Sequence, residues 1–186
     1  MHHFIFPTSD SWISSGSSTI TGESFKDQNF GRDQILEVKK VFYNNSFDYQ
    51  TRALINFNGP DFTEMSQSIV GGDITNPKFF LRLYEAEGNS ELSEEYTLAA
   101  YPVSESWVEG TGKFDDTPKN TNGVSWENRS NPIGGTETNW RTSGSFSIGS
   151  GSFGDTNIDS DGGPTVVSGS GNEATQSFSK ESPDIN

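Results

Sequence analysis

The chain has 186 residues, a net charge of −14 and no cysteine. This length fits one domain, and the lack of cysteine excludes disulfides, thiolate catalysis and thiol-based metal sites. The excess of carboxylates argues against nucleic acid and anionic membranes as partners, because both carry charge of the same sign. No apolar run approaches the roughly 18 residues of a membrane span, so we expect no membrane partner.

Apolar residues make up only 30% of the chain, although it contains 14 phenylalanines. The core is therefore expected to rest on a few large rings rather than on many aliphatic side chains. No leucine follows Leu98, which argues against a second globular domain. We predict a β-sandwich core over residues 1–129, with residues 130–186 forming a long loop and late strand(s) that pack on the same domain.

Along the chain, short apolar runs of period two alternate with turns rich in Gly, Asn and Pro. This pattern is typical of antiparallel strands. Only Asp61–Val70 has helical spacing, and we predict a helix of one or two turns there, capped by Asp61. The predicted fold class is all-β: an antiparallel, jelly-roll-like β-sandwich with long Gly/Ser-rich loops and at most one short helix. The predicted strands span residues 3–13, 34–43, 51–57, 78–87, 94–103 and 174–180.

Residues 101–129, YPVSESWVEGTGKFDDTPKNTNGVSWENR, place two tryptophans at the ends of a polar segment. The spacing W-x-E-G-x-G followed by G-V-S-W resembles the DNRLRE-type β-sandwich module. That family is related to carbohydrate-binding modules of alginate-degrading enzymes and is found in virion structural proteins of marine tailed phages. The resemblance extends to FPTSDSWI at 6–13, NFGRD at 29–33, QILEV at 34–38, RALINF at 52–57 and FFLRLY at 79–84.

The resemblance implies contact with other molecules rather than chemistry. It points to a non-enzymatic structural or appendage protein of a tailed-phage virion, made in the host cytoplasm, whose partners are other virion subunits or copies of itself. The alternative is a carbohydrate-binding module of a secreted polysaccharide-active enzyme, with a surface polysaccharide as its ligand. The first residues show no secretory signal, which favours the virion hypothesis. The closing strands of the family have no counterpart before Asn186, so we expect that either a longer native chain or a neighbouring subunit covers the exposed sheet edge.

No enzyme is predicted, because the chain contains no nucleophile elbow, P-loop or zinc-protease motif. A carboxylate pair of Glu109 with Asp115 or Asp116 is conceivable for glycoside hydrolysis, but nothing in the sequence fixes the separation of these groups. We therefore predict no catalytic residue.

A saccharide site requires aromatic rings beside polar groups, and four residues offer that combination. The candidates for carbohydrate binding are Trp107, Glu109, Trp126 and Trp140. The alternative is that these tryptophans are core anchors, and we prefer it in a domain with few aliphatic residues.

The only metal that the sequence suggests is a structural calcium ion, and no other cofactor is predicted. Oxygen-bearing side chains at alternate positions of a loop suit calcium, and they occur at Asp155, Asn157, Asp159 and Asp161. The full calcium-loop pattern fails because Ser168 occupies the position of the bidentate glutamate. We prefer the alternative of an acidic turn in an acidic protein.

Overall fold

The computed structural model describes residues 3–43, 46–84, 86, 95–141, 144–148, 151–156, 163–164, 166–167 and 173–179. These residues form ten strands and one helix. The strands are β1 (Ser9–Ser14), β2 (Lys39–Tyr43), β3 (Ser46–Asn56), β4 (Glu95–Ala100), β5 (Asn128–Ser130), β6 (Thr138–Asn139), β7 (Gly144–Ile148), β8 (Gly151–Thr156), β9 (Val166–Val167) and β10 (Ala174–Ser179), and the helix is α1 (Pro60–Val70).

The strands pair into four small antiparallel sheets. Their strand orders are β1-β3-β2, β10-β4, β5-β6 and β7-β8-β9. The predicted all-β fold class is thereby confirmed, with antiparallel pairing throughout and a single short helix in the described part of the chain.

The core is assembled where the first sheet meets the loop before β5 and the residue that directly follows β6. In the β1–β3 pair, Trp12 lies opposite Ala53 and Ile13 lies opposite Arg52. Ile13 is fully buried and packs with four other buried side chains, one of which is Leu54 of β3, so both strands contribute to the core. The remaining members of this core cluster are Leu54, Val124, Trp126 and Trp140, with Val103 and Trp107 partly buried against them.

The helix is longer than predicted and begins differently. Its 11 residues make about three turns rather than one or two. Gly59 is the N-cap and Pro60 occupies the first turn, whereas Asp61, predicted as the cap, lies inside the helix. Proline suits this position because its missing N–H would have no partner there. None of the helix residues is buried, so α1 lies on the surface.

One predicted strand was half confirmed and another was wrong. Residues 34–38 have no strand pairing, and the second strand comprises only β2. Residues 78–84 likewise form no strand, and their apolar side chains are mostly exposed. In both segments the alternation of apolar residues was present in the sequence, but no neighbouring strand pairs with them among the described residues.

Described segments beyond residue 130 pack on elements that precede it. Strand β10 pairs with β4, as expected for a late strand, and Phe178 stacks on Tyr96 with ring centroids 5.1 Å apart. Val166 forms an isolated bridge with Val103. The division of the chain at residue 129 remains a prediction.

Candidate functional site

The W-x-E-G-x-G and N-F-G-R-D segments meet at the fully buried side chain of Asn29. Its Nδ2 donates to the carbonyl oxygens of Glu109 (2.7 Å) and Val124 (2.8 Å). Its Oδ1 accepts from the backbone N–H of Gly31 (3.2 Å) and Gly112 (2.7 Å). Both amide hydrogens and the amide oxygen are thus in use, and three separate chain segments are joined. We call these five residues the Asn29 junction.

The glycines of the two motifs allow the backbones to approach one another at this junction. A Cβ atom at Gly31 would collide with the Glu109 carbonyl, and one at Gly110 would collide with the Asn122 carbonyl. Gly123 lies directly against Gly110 and has a φ of +109°, which residues with a side chain rarely adopt. The motif residues therefore have a structural explanation that requires no ligand.

An aromatic stack adjoins the junction on the side of β1. The rings of Trp12 and Phe30 are stacked with centroids 3.8 Å apart. The carboxylate of Asp33 accepts from the Trp12 indole N–H (2.9 Å) and from the Phe114 backbone N–H (3.1 Å). Phe114 belongs to the same stack, yet 56% of it remains exposed. The contacts with Asp33 and with the other rings of the stack fix the position of Phe114, while more than half of the residue is exposed to solvent.

A cleft with a volume of about 720 Å³ lies near these elements. The Asn29 backbone N–H donates to the Asn120 carbonyl (2.8 Å), so the Asn29 junction holds one wall of this cleft directly. The second wall is the loop between β5 and β6. Among the described residues that line the cleft there is no aromatic ring, and five of the 13 carry an amide or a hydroxyl. The lining residues of this asparagine cleft are Asp116, Thr117, Pro118, Lys119, Asn120, Thr121, Asn122, Asn131, Pro132, Ile133, Gly134, Gly135 and Glu137.

The walls are also tied to each other. The Gly123 N–H donates to the Asn131 carbonyl (2.9 Å), and the Asn131 amide donates to the Thr121 hydroxyl (3.4 Å). The Asn120 Oδ1 accepts from the Asn122 N–H (2.8 Å). The Asn122 side chain makes none of these bonds, and Asn122 lines the cleft.

Among the described residues of the cleft lining, Lys119 is the one cation, and two carboxylates lie beside it. Its Nζ lies 2.7 Å from Asp27 Oδ1 and 3.6 Å from Glu23 Oε1. The hydrogen bond to Asp27, with the charges of both carboxylates, raises the pKa of Lys119 above its ordinary value of 10.5. The lysine is therefore charged at neutral pH, but nearby acidic groups balance that charge.

A second cleft, with a volume of about 430 Å³, lies beside the β5–β6 hairpin. The Glu105 side chain is only 7% exposed and lies between two guanidiniums, 3.1 Å from Arg141 Nε and 3.7 Å from Arg129 Nε. Arg129 also donates to the Ser106 carbonyl (3.0 Å). We call these residues the arginine cleft. Its ion pairs join the 104–106 segment to β5 and to the chain after β6.

The structure brings the three predicted tryptophans together, but in the core. Trp126 is 1% exposed and Trp140 is 4% exposed, and Trp107 is partly buried against the same cluster. The Trp140 indole N–H donates to the Ser125 carbonyl (2.8 Å). Buried rings do not offer a face to a sugar, and this placement fits the alternative of core anchors. Carbohydrate binding by these residues stays a prediction.

The backbone and the carboxylate of Glu109 make hydrogen bonds to different parts of the chain. Its carbonyl belongs to the Asn29 junction, and its Oε1 accepts from the Asp10 backbone N–H at 3.2 Å. Binding of a sugar by the carboxylate remains a prediction.

The predicted calcium ligands fall mostly outside the described residues. Asn157, Asp159 and Asp161 lie there, and Asp155 is described only as a backbone position of β8, opposite Gly144 and Val167. Among the residues that the structure does describe, no group of three acidic or histidine side chains is arranged to hold a metal. The calcium ion therefore stays a prediction.

Two candidate groups were missed from the sequence: the exposed ring of Phe114 and the amide of Asn120. The signal for them was present as the segment K-F-D-D-T-P-K-N-T-N-G at 113–123, where amide and hydroxyl residues cluster between two glycines. The sequence could not indicate that Asn120 is held by the backbone of Asn29, because the two residues lie 91 positions apart.

Comparison with known protein families finds one match. Residues 3–142 match the family described as carbohydrate-binding module family 96. No curated protein and no solved structure matches the chain. In the described residues, no helix combines the length and the apolar character needed to cross a bilayer.

Proposed function

The chain belongs to carbohydrate-binding module family 96, and from this premise we propose that it is a non-catalytic module that binds a polysaccharide in the asparagine cleft. The observation that carries the proposal is the direct bond between the Asn29 backbone and Asn120, which fixes a polar cleft wall before any ligand arrives. A fixed site lowers the conformational entropy lost on binding.

The chemistry of the lining suits sugar hydroxyls. A primary amide both donates and accepts hydrogen bonds, and a sugar hydroxyl does the same. Asn122 and Asn120 place amides on one wall, and Asn131 places one on the other. The volume of about 720 Å³ lies in the range of roughly 300–1,000 Å³ that small-ligand sites occupy, and it is enough for several sugar units.

Binding should be tested with the variant Asn122→Ala on a panel of soluble polysaccharides, by affinity gel electrophoresis and calorimetry. Loss of one or two hydrogen bonds is expected to weaken binding by about tenfold. The control is Gln67→Ala, which removes an exposed amide from α1 and should bind as the unchanged protein does. Equal binding by Asn122→Ala and the unchanged protein would contradict the assignment of this cleft.

The setting that we propose for this binding is a tailed-phage virion, where the module would pack on other subunits and contact the host surface. Exposed apolar side chains support a packing role: Phe79 is 66% exposed and Phe80 is 85% exposed. Mass spectrometry of purified particles should find the chain in stoichiometric amounts. Its absence from particles, together with secretion beside a polysaccharide-active catalytic domain, would favour the alternative of an enzyme-associated module.

A further inference from the structure

The sequence places asparagine directly before glycine at two positions, Asn58-Gly59 and Asn122-Gly123. Such a pair is open to an intramolecular reaction, because glycine has no Cβ to shield its backbone nitrogen from the side chain of the preceding residue. The nitrogen can attack the asparagine Cγ only if the peptide group between the two residues is free to rotate. The structure holds one of these peptide groups and leaves the other unbonded.

The peptide group between Asn122 and Gly123 is held at both ends. The Gly123 N–H donates to the Asn131 carbonyl (2.9 Å). The Asn122 carbonyl lies so close to Gly110 that a Cβ atom at Gly110 would collide with it. Gly123 is also buried. Because ring closure would rotate this peptide group and break these contacts, reaction at Asn122 requires local opening of the structure.

The peptide group between Asn58 and Gly59 has no such restraint. It lies between β3 and α1, and no hydrogen bond to its N–H or its carbonyl is found among the described residues. The Asn58 side chain is exposed, and its Oδ1 accepts from the Thr8 hydroxyl at 2.6 Å. That bond draws electron density away from Cγ, and it would stabilise the oxyanion that forms when a nitrogen attacks this carbon.

We infer that Asn58 is a site of spontaneous deamidation, whereas Asn122 keeps its amide in the folded protein. The backbone nitrogen of Gly59 loses its proton and forms a bond to the Asn58 Cγ. The bond between Cγ and Nδ2 breaks, and the side-chain nitrogen leaves as ammonia with that proton. Water then opens the cyclic imide at either of its carbonyls, which gives aspartate or isoaspartate at position 58. The reaction transfers no electrons, and water is its only co-reactant.

The modification changes the surface and leaves the cleft unchanged. It adds one negative charge directly before the first turn of α1, where the helix dipole favours a carboxylate. The asparagine cleft retains the Asn122 amide, because the bond to Asn131 keeps the neighbouring peptide group in place. This inference does not depend on the proposed function, since both peptide groups are described without reference to a ligand.

The first experiment compares the two sites within one molecule. The full chain is incubated in mildly alkaline buffer, with and without urea, and peptide mass spectrometry and enzymatic methylation of isoaspartate follow each site. In the folded protein Asn58 should react at least about tenfold faster than Asn122, because Asn122 must wait for local opening. In urea the two rates should agree to within about twofold, since both residues precede glycine. Equal rates in the folded protein, or an Asn58 that reacts only in urea, would overturn the inference.

The second experiment tests the reacting groups at Asn58. Gly59→Ala places a Cβ beside the attacking nitrogen and should slow the reaction by about tenfold. Thr8→Val keeps the shape of the side chain but removes the hydroxyl donor, and it should slow the reaction by about threefold. The matched control is Thr63→Val, which removes a hydroxyl that bonds to the Gly59 carbonyl on the far side of the reacting nitrogen. Its rate should equal that of the unchanged protein.

The outcomes assign each group its part. An unchanged rate in Gly59→Ala would overturn attack by the Gly59 nitrogen, and with it the inference. An unchanged rate in Thr8→Val, with the expected loss in Gly59→Ala, would overturn the role of the Thr8 hydroxyl alone. Equal slowing by Thr63→Val and Thr8→Val would likewise remove that role, because the effect would then not depend on the bond to Oδ1.

Discussion

Two segments that carry the same family resemblance have opposite structures. The Asn29 junction is buried, hydrogen-bonded and joins three parts of the chain. Residues 79–84, FFLRLY, were predicted as a strand of the same module, yet they form no strand and most of their rings face solvent. The first segment is polar and the second is apolar, which reverses the usual expectation of what is buried.

The difference lies in where each segment finds its partners. The Asn29 side chain has directional bonds to Glu109, Val124, Gly31 and Gly112, so its geometry is specified by the residues themselves. An alternating apolar run specifies only that one face should be covered, and it needs a neighbouring strand to supply both cover and hydrogen bonds. Complementary polar groups can therefore define a fold where hydrophobic alternation cannot.

The largest effect is expected at the centre of the Asn29 junction. Asn29→Ala would leave two carbonyl oxygens and two N–H groups without their partner in a buried site. Since each orphaned buried group costs roughly 1–3 kcal/mol and some relaxation occurs, the free energy of unfolding should fall by about 4 kcal/mol. Urea denaturation followed by tryptophan fluorescence measures this change.

The control is Asn58→Ala, which removes an exposed amide that accepts a hydrogen bond from Thr8. Its effect should stay within about 0.5 kcal/mol. If the two asparagine variants were equally stable, the hydrogen bonds of the Asn29 junction would not explain why it is ordered and buried while residues 79–84 are exposed.

A smaller loss is expected from the close backbone approach beside Asn29. Gly123→Ala combines a φ of +109° with a collision against Gly110. We expect a destabilisation of about 3 kcal/mol, read from the urea midpoint. Gly22 also has a positive φ, +72°, but a Cβ there would meet nothing within 4 Å. Gly22→Ala should therefore destabilise the protein by only about 1 kcal/mol. The difference between the two variants measures the effect of the collision apart from that of the positive φ.

Local patterns predicted much of the fold. Strand β10 was predicted as 174–180 and observed as Ala174–Ser179, and the position of α1 was predicted to within one residue. The burial of Trp126 and Trp140 followed from the shortage of aliphatic side chains. Each of these features depends on composition or on neighbours in sequence, which the sequence displays directly.

The candidate site could not be predicted in the same way. Asn29 bonds to residues 80 and 95 positions away, and Phe114 bonds to Asp33 across 81 positions. Such contacts depend on how the loops fold back, and no periodicity in the sequence reports them. The motif was recognisable, but the hydrogen bonds that explain it were not.

A moderate effect is expected at the arginine cleft, where ion pairs hold the chain segments together. Glu105→Ala would leave the guanidiniums of Arg141 and Arg129 beside an empty position and remove the acceptor of the Arg141 N–H. Because both arginines retain access to water, the loss should be about 2 kcal/mol, below the usual range for a fully buried pair. Glu105→Gln should recover part of it, since the amide oxygen still accepts the N–H bond. If Glu105→Ala were as stable as the unchanged protein, these ion pairs would contribute nothing to the free energy of unfolding.

The smallest effect is expected in the exposed segment. Phe80→Ser replaces a ring that is 85% exposed, so the stability of the isolated protein should change by less than about 0.5 kcal/mol. Its consequence should appear instead in association, because the ring is available to a neighbouring subunit. Analytical ultracentrifugation of the unchanged protein and of Phe80→Ser over a range of concentrations tests this. A drop in stability comparable to that of Gly123→Ala would mean that the segment is buried in solution, and the contrast with the Asn29 junction would then disappear.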